Sequence, residues 1–272
     1  MNRGWQSRIA GLVIAAMAIA AAGAQTVGDL RKKAAPVQVG PAQAVDPAKV
    51  REAYRRFLEL NAGDPQMRAE ALRRLADLEL ESADAERGDG TTAAAGGEET
   101  RAAIALYERL LAEAPDHPRI DSVLYQLGRA WEAEGDAERA LSYLDRLVAK
   151  YPNSRHIEEA QFRRGEILFS AKRWPEAETA YATVIRGGSG TAFQEQALYK
   201  HGWALFKQSR TEESSVSFMA VLDRKLLTSP GVEIESLDKL SRADRELVED
   251  TMRVLGIQFT ADDPARALSV AL

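Results

Sequence analysis

The sequence predicts an all-α protein, a right-handed superhelix of stacked antiparallel helix pairs. Three observations carry that expectation. Ala, Leu, Glu and Arg dominate, Gly and Pro fall mostly between apolar-periodic stretches, and no alternating Val/Ile/Thr run marks a strand. Tyr125, Phe162 and Tyr199 lie 37 apart, and so do Gly128, Gly165 and Gly202. A second set keeps the same step of 37 further along: Ala103, Ala140, Ala177 and Ser214, with Tyr107, Leu144, Tyr181 and Phe218. Two helix types therefore repeat in register. Small residues such as Gly128 and Ala140 let paired helices approach, and Leu144 or Tyr181 fill the space between them. A lone pair cannot bury both of its faces, so pairs stack.

Taken in order, Arg3 and Arg8 flank the start of an apolar run from Ile9 to Ala22, and Ala22-Gly23-Ala24 offers a small-x-small cleavage pattern. Residues 1–24 read as a secretory signal peptide cut before Gln25, which places the mature chain in a bacterial periplasm. The apolar run is shorter than the roughly 20 residues of a spanning helix, so no membrane span is expected after cleavage. Residues 25–46, with Pro36, Gly40 and Pro41 and no sustained period, read as a flexible leader.

The array is expected over 47–272. Asp46-Pro47 gives an N-cap followed by Pro at the first helical position. The helix it opens, with Val50, Tyr54 and Phe57, is of the second type, since Tyr54 lies 53 before Tyr107. An array that begins on a second-type helix has an atypical, capping first element. Residues 66–82 form a first-type helix. Leu72 stands 53 before Tyr125, a surplus of 16 over the 37-residue step (53 − 37 = 16), and it falls in the Gly/Ala/Thr-rich residues 83–98, read as a loop within one pair.

A second-type helix then opens at Glu99 or Thr100 and ends at Pro115. Three pairs follow, with inner turns at Gly135-Asp136, Arg173-Trp174-Pro175 and Ser209-Arg210-Thr211, and a looser corner at 187–190. A second surplus is placed at 228–242. Ser241 to Gln258 reads as another first-type helix, and Asp263-Pro264 starts a last helix whose Ala267 and Leu268 correspond to Ala140 and Leu141. That helix is incomplete at Leu272, which leads to the expectation that the chain is the N-terminal part of a larger protein.

The stretch from Asp121 to Pro152 resembles a tetratricopeptide repeat, with Leu124, Leu127, Gly128 and Trp131 on one helix and Ala140, Leu144 and Pro152 on the next. The motif A-x-[FY]-x-x-G at 160–165 and 197–202, with Lys150-Tyr151-Pro152-Asn153-Ser154, is similar to the subgroup of bacterial envelope proteins that includes the Tol-associated cell division coordinator and the BamD-like assembly lipoproteins. The chain lacks the lipidated Cys of the second and the N-terminal coiled coil of the first, so neither identity transfers. The resemblance implies that first-type helices line a groove for a protein or peptide partner in the cell envelope. It also implies which residues face that groove: Tyr125, Arg129 and Glu132, then Phe162, Glu166 and Phe169, then Tyr199, Trp203, Phe206 and Lys207. Tyr125, Phe162 and Tyr199 repeat with the period and read as packing residues. Arg129, Glu166, Trp203 and Lys207 change type from pair to pair and are the candidate protein-binding residues, Trp203 foremost as a large amphipathic side chain.

Chemistry is not expected of the chain itself. It has no Cys, which excludes disulfides, thiolate metal sites and a Cys nucleophile. His117, His156 and His201 lie in different pairs without metal-ligand spacing, no phosphate-cradling Gly-rich motif occurs, and the many carboxylates read as solvated helix faces. No cofactor or metal is expected. The formal net charge of −5, without a basic stripe, argues against nucleic acid. The expectation is a non-catalytic periplasmic scaffold for protein–protein interaction. The alternative is a repeat platform for an enzyme, for example one acting on the cell wall, whose catalytic domain lies beyond residue 272.

Overall fold

The structure, a computed structural model, describes residues 46–60, 64–88, 97–188, 192–227 and 237–261. The expected signal peptide, the leader up to Val45, the last helix from Asp263 and most of the second surplus lie outside them. Among the described residues the chain forms α1 (Pro47–Glu59), α2 (Pro65–Gly88), α3 (Gly97–Glu113), α4 (Ile120–Ala133) and α5 (Ala137–Lys150). There follow α6 (Ile157–Ser170), α7 (Trp174–Gly187), α8 (Ala192–Lys207), α9 (Thr211–Leu226), a 3₁₀ turn (Leu237–Lys239) and α10 (Arg242–Ala261). Each even-numbered helix is of the first type and each odd-numbered one of the second. Each helix packs on its neighbour in sequence, as stacking of pairs into a right-handed superhelix requires.

The repeated glycines act as notches. An added Cβ would come within 2.6 Å of Leu144 at Gly128, 2.4 Å of Tyr181 at Gly165 and 2.9 Å of Phe218 at Gly202. The large residue of each second helix thus sits against the bare backbone of its partner. Leu144, Tyr181 and Phe218 are fully buried there, as are Leu147, Ala140 and Ala177. Burying each of these large side chains contributes roughly 1.5–3 kcal/mol to holding its pair together.

The turns inside the pairs repeat as well. Gly135, Lys172 and Ser209, each 37 apart, all take positive φ, at 80°, 61° and 60°. In each turn the amide one residue further on reaches back to a carbonyl in the last turn of the helix: Asp136 to Trp131, Arg173 to Leu168 and Arg210 to Leu205. This is the Schellman arrangement, which satisfies the last carbonyls of a helix. Asp136 also caps α5, its side chain accepting from the Arg139 amide.

One expectation is corrected. The surplus at 83–98 is not a loop throughout, since α2 runs to Gly88 and α3 already begins at Gly97. The extension holds because it is anchored. Ala83 is fully buried, and Arg87 donates to Asp84 in its own helix and to Thr100 in α3. Ala-Asp-Ala-Glu-Arg also carries no residue that disfavours a helix strongly, and the Gly at 88 ends it.

Candidate protein-interaction face

The first-type helices α2, α4, α6, α8 and α10 bring their inner side chains together in two chemically different zones. The first spans α2, α4 and α6. Arg129 donates to Asp84 at 3.1 Å and to Gln126, and Arg163 donates to Glu132 at 2.8 Å and to Glu159. Asp84, Arg129, Glu132 and Arg163, with Arg87 and Leu80, line a cleft of about 260 Å³. Glu166 continues the series between α6 and α8, accepting from Lys200 at 2.7 Å and from the Tyr181 hydroxyl at 2.5 Å. Each of Arg129, Arg163 and Lys200 reaches a carboxylate on the preceding first-type helix. Such half-exposed pairs are worth at most about 1 kcal/mol each, but they fix how one pair stands on the next.

Tyrosine hydroxyls extend the network. Tyr107 donates to Asp77 and Tyr199 to Asp250, and the Tyr125 hydroxyl faces the Glu159 carboxylate. Burial and the Glu159 carboxylate push the Tyr125 hydroxyl up to about 12. Burial works against the Glu159 charge, but the Tyr125 hydroxyl and Arg163 together hold that carboxyl below its usual range. These groups stay in one protonation state across neutral pH, so they hold shape rather than move protons.

The second zone lies on α6 and α8 and is aromatic. Trp203 is half-buried, edge-on to Phe206 at 5.6 Å, to Phe218 at 5.8 Å and to Tyr199 at 6.3 Å. Phe169, also half-buried, meets Trp174 at 4.8 Å and lies under the Lys200 ammonium at 5.8 Å. Lys207 stands one turn beyond Trp203 and is exposed. Of the four candidate residues, Arg129 and Glu166 are thus members of the ionic series, while Trp203 and Lys207 share the aromatic zone. Sequence reasoning passed over Arg163, Asp84 and Glu159. A signal for Arg163 was available, since Gln126, Arg163 and Lys200 form a column at the 37-residue step. The pairing of Arg129 with Asp84 crosses the first surplus and leaves no periodic trace.

Two Ser–His contacts invite a catalytic reading, and their geometry argues against it. Ser122 Oγ lies 3.2 Å from His156 Nε2, but that nitrogen also accepts from Arg155 at 3.0 Å. Its lone pair is occupied, and burial together with Arg155 holds the imidazole below its ordinary pKa. His201 Nδ1 meets Ser217 Oγ at 2.9 Å, where the serine is buried and its hydroxyl also reaches the Glu213 carbonyl at 3.3 Å. Among the described residues no group of three or more His, Asp or Glu is placed to hold a metal ion.

Residues 122–154, covering all but the first two residues of α4 and the whole of α5, match the family model of the tetratricopeptide repeat. The α4–α5 pair is a tetratricopeptide repeat, set in a solenoid of stacked helix pairs. Among solved structures, MamA superposes on this solenoid with a TM-score of 0.50 at 18% identity, covering 68% of this chain and 87% of its own. A MamA RS-1 double mutant gives 0.49 at 18% identity over 76% and 91%, and BtubC from P. vanneervenii 0.49 at 15% over 82% and 85%. At 18% identity the likeness to MamA is one of fold. No curated protein matches the sequence. None of the described helices is long and apolar enough to cross a membrane.

Proposed function

We propose that this chain is a non-catalytic scaffold of the bacterial periplasm, holding a protein or peptide segment along the inner face of its first-type helices and organising a cell-envelope complex. One observation carries the reading. At positions where α4 has Gln126, Arg129 and Glu132, α6 has Arg163, Glu166 and Phe169, and α8 has Lys200, Trp203 and Phe206. The frame is constant while the inner side chains differ, which is how a repeat array presents a specific surface. The basic start and apolar run of residues 1–24 support export.

The test places a photo-crosslinking amino acid at Phe206, on the inner face, or at Val216, exposed on second-type helix α9, in the full-length protein in its source cell. The reading expects an envelope protein joined at Phe206 and not at Val216, in a spheroplast-released fraction. Crosslinks confined to Val216, or recovery only with cytoplasmic proteins, would overturn it.

A further inference from the structure

The ionic series along the inner face stops at α8, and what replaces it specifies a partner. Arg129, Arg163 and Lys200 each lie on a carboxylate of the preceding first-type helix, which leaves the first zone internally neutralised. A charged ligand entering that cleft would have to displace an existing ion pair. On α8 the columns that carry Glu132 and Glu166 on the earlier helices hold Phe206 and Trp203 instead. Arg253 on α10 turns to Asp250 of its own helix at 3.1 Å. Lys207 completes the change. Its column holds Ala133 and Ser170 on α4 and α6, so α8 adds a cation where the earlier helices have none.

The α6–α8 surface thus combines half-buried aromatic rings, Phe169, Trp203 and Phe206, with an exposed ammonium and no carboxylate in the two inner columns of α8. Aromatic faces offer area at low conformational cost, and a lysine beside them complements an anion. We infer that this surface is the anchor point for the bound segment, and that it takes a large apolar side chain next to an Asp or Glu, with Trp203 and Phe206 holding the first and Lys207 the second. The inference rests on the inner-face reading above and narrows it to one end of the array. Arg129 and Glu166 then position the helices and do not touch the partner.

The test pans a random peptide library against the purified full-length protein, alongside Lys207→Glu, Trp203→Ala and Val216→Ser, each checked for native helicity. The expected result is enrichment of sequences in which Phe, Trp, Leu or Met stands beside Asp or Glu. A synthetic peptide of that consensus, followed by fluorescence anisotropy, should bind Trp203→Ala about 30-fold and Lys207→Glu about tenfold more weakly, with Val216→Ser, exposed on second-type helix α9, within about twofold of wild type. Panning on Lys207→Glu should replace the acid by Lys or Arg. Enrichment of another chemistry, or of sequences indifferent to Lys207→Glu, overturns the inference. So does no enrichment, and the crosslink at Phe206 then decides separately whether the inner face binds a partner at all.

Discussion

Replacing Gly165 by Ala adds one carbon at the most crowded of the described glycines. That Cβ would stand 2.4 Å from Tyr181 Cε1, 2.7 Å from Cδ1 and 2.8 Å from Cζ. Carbon atoms pack favourably at about 3.5–4.0 Å, so the ring must withdraw by about 1 Å. It is poorly placed to do so, because Tyr181 is fully buried and its hydroxyl is tied to Glu166 at 2.5 Å. Overpacking of this kind costs about 1–3 kcal/mol, and the anchored ring puts the cost at the upper end. Ala is the better helix former by about 1 kcal/mol, which leaves a net loss of about 2 kcal/mol. At Gly202 the nearest Phe218 atoms would lie at 2.9–3.1 Å from the new carbon, and the two effects should nearly cancel. Gly128→Ala falls between them. Gly187→Ala, with nothing within 4 Å of the added atom, is the control for propensity alone. Urea unfolding followed by helicity gives the four midpoints under one slope. Relief of the Gly165→Ala cost in a Tyr181→Leu background, seen as a coupling in a double-mutant cycle, ties the loss to that contact. A Gly165→Ala protein as stable as wild type, or a reversed order of the three notches, would refute the argument.

Two further outcomes follow from the interior. Glu166→Ala leaves the Tyr181 hydroxyl and the Lys200 ammonium without their shared carboxylate and should cost about 1–3 kcal/mol in the same urea assay, while Glu166→Gln, which keeps an acceptor for the tyrosine, should cost less. Burial holds His201 below the ordinary imidazole value; Arg210 adds to this and Glu178 and Glu213 oppose it. The unfolded chain therefore takes up the proton first, so the contribution is complete above about pH 6.5 and is lost as the pH falls below it toward the folded pKa. His156, lowered by burial and by Arg155, adds in the same direction. Thermal midpoints at about pH 7.5 and about pH 5.5 should differ less in His201→Gln than in wild type, and an unchanged difference would exclude His201 as a contributor.

The frame of the protein was legible because it is periodic. A step shared by Gly128, Gly165 and Gly202 and by Leu144, Tyr181 and Phe218 reports a contact repeated along the chain. The extension of α2 was not legible. Ala83 to Arg87 is compatible with loop or helix, and the outcome is set by Asp84 and Arg87 meeting residues on other helices. The inner face was half legible for the same reason. Columns at a fixed step located the residues, and would have located Arg163 had that column been followed. Nothing local to Arg129 or Glu166 tells that a carboxylate at 84 or an ammonium at 200 awaits them, since those partners lie 45 and 34 residues away.

The notches and the ionic series differ in what they encode. Any small residue facing any large one makes a notch, so by that contact alone the pairs could be exchanged. The ion pairs cannot be exchanged so freely: Arg163 and Lys200 share one column, but Arg163 meets Glu132 of a second column and Lys200 meets Glu166 of a third, while Arg129 meets Asp84 beyond the first surplus. Each junction carries its own key. Transposing α4–α5 with α6–α7 would keep every notch filled and set several of these charges before the wrong neighbour. The order of the units is thus written into the molecule twice, once in the covalent chain and again, independently, in its charges.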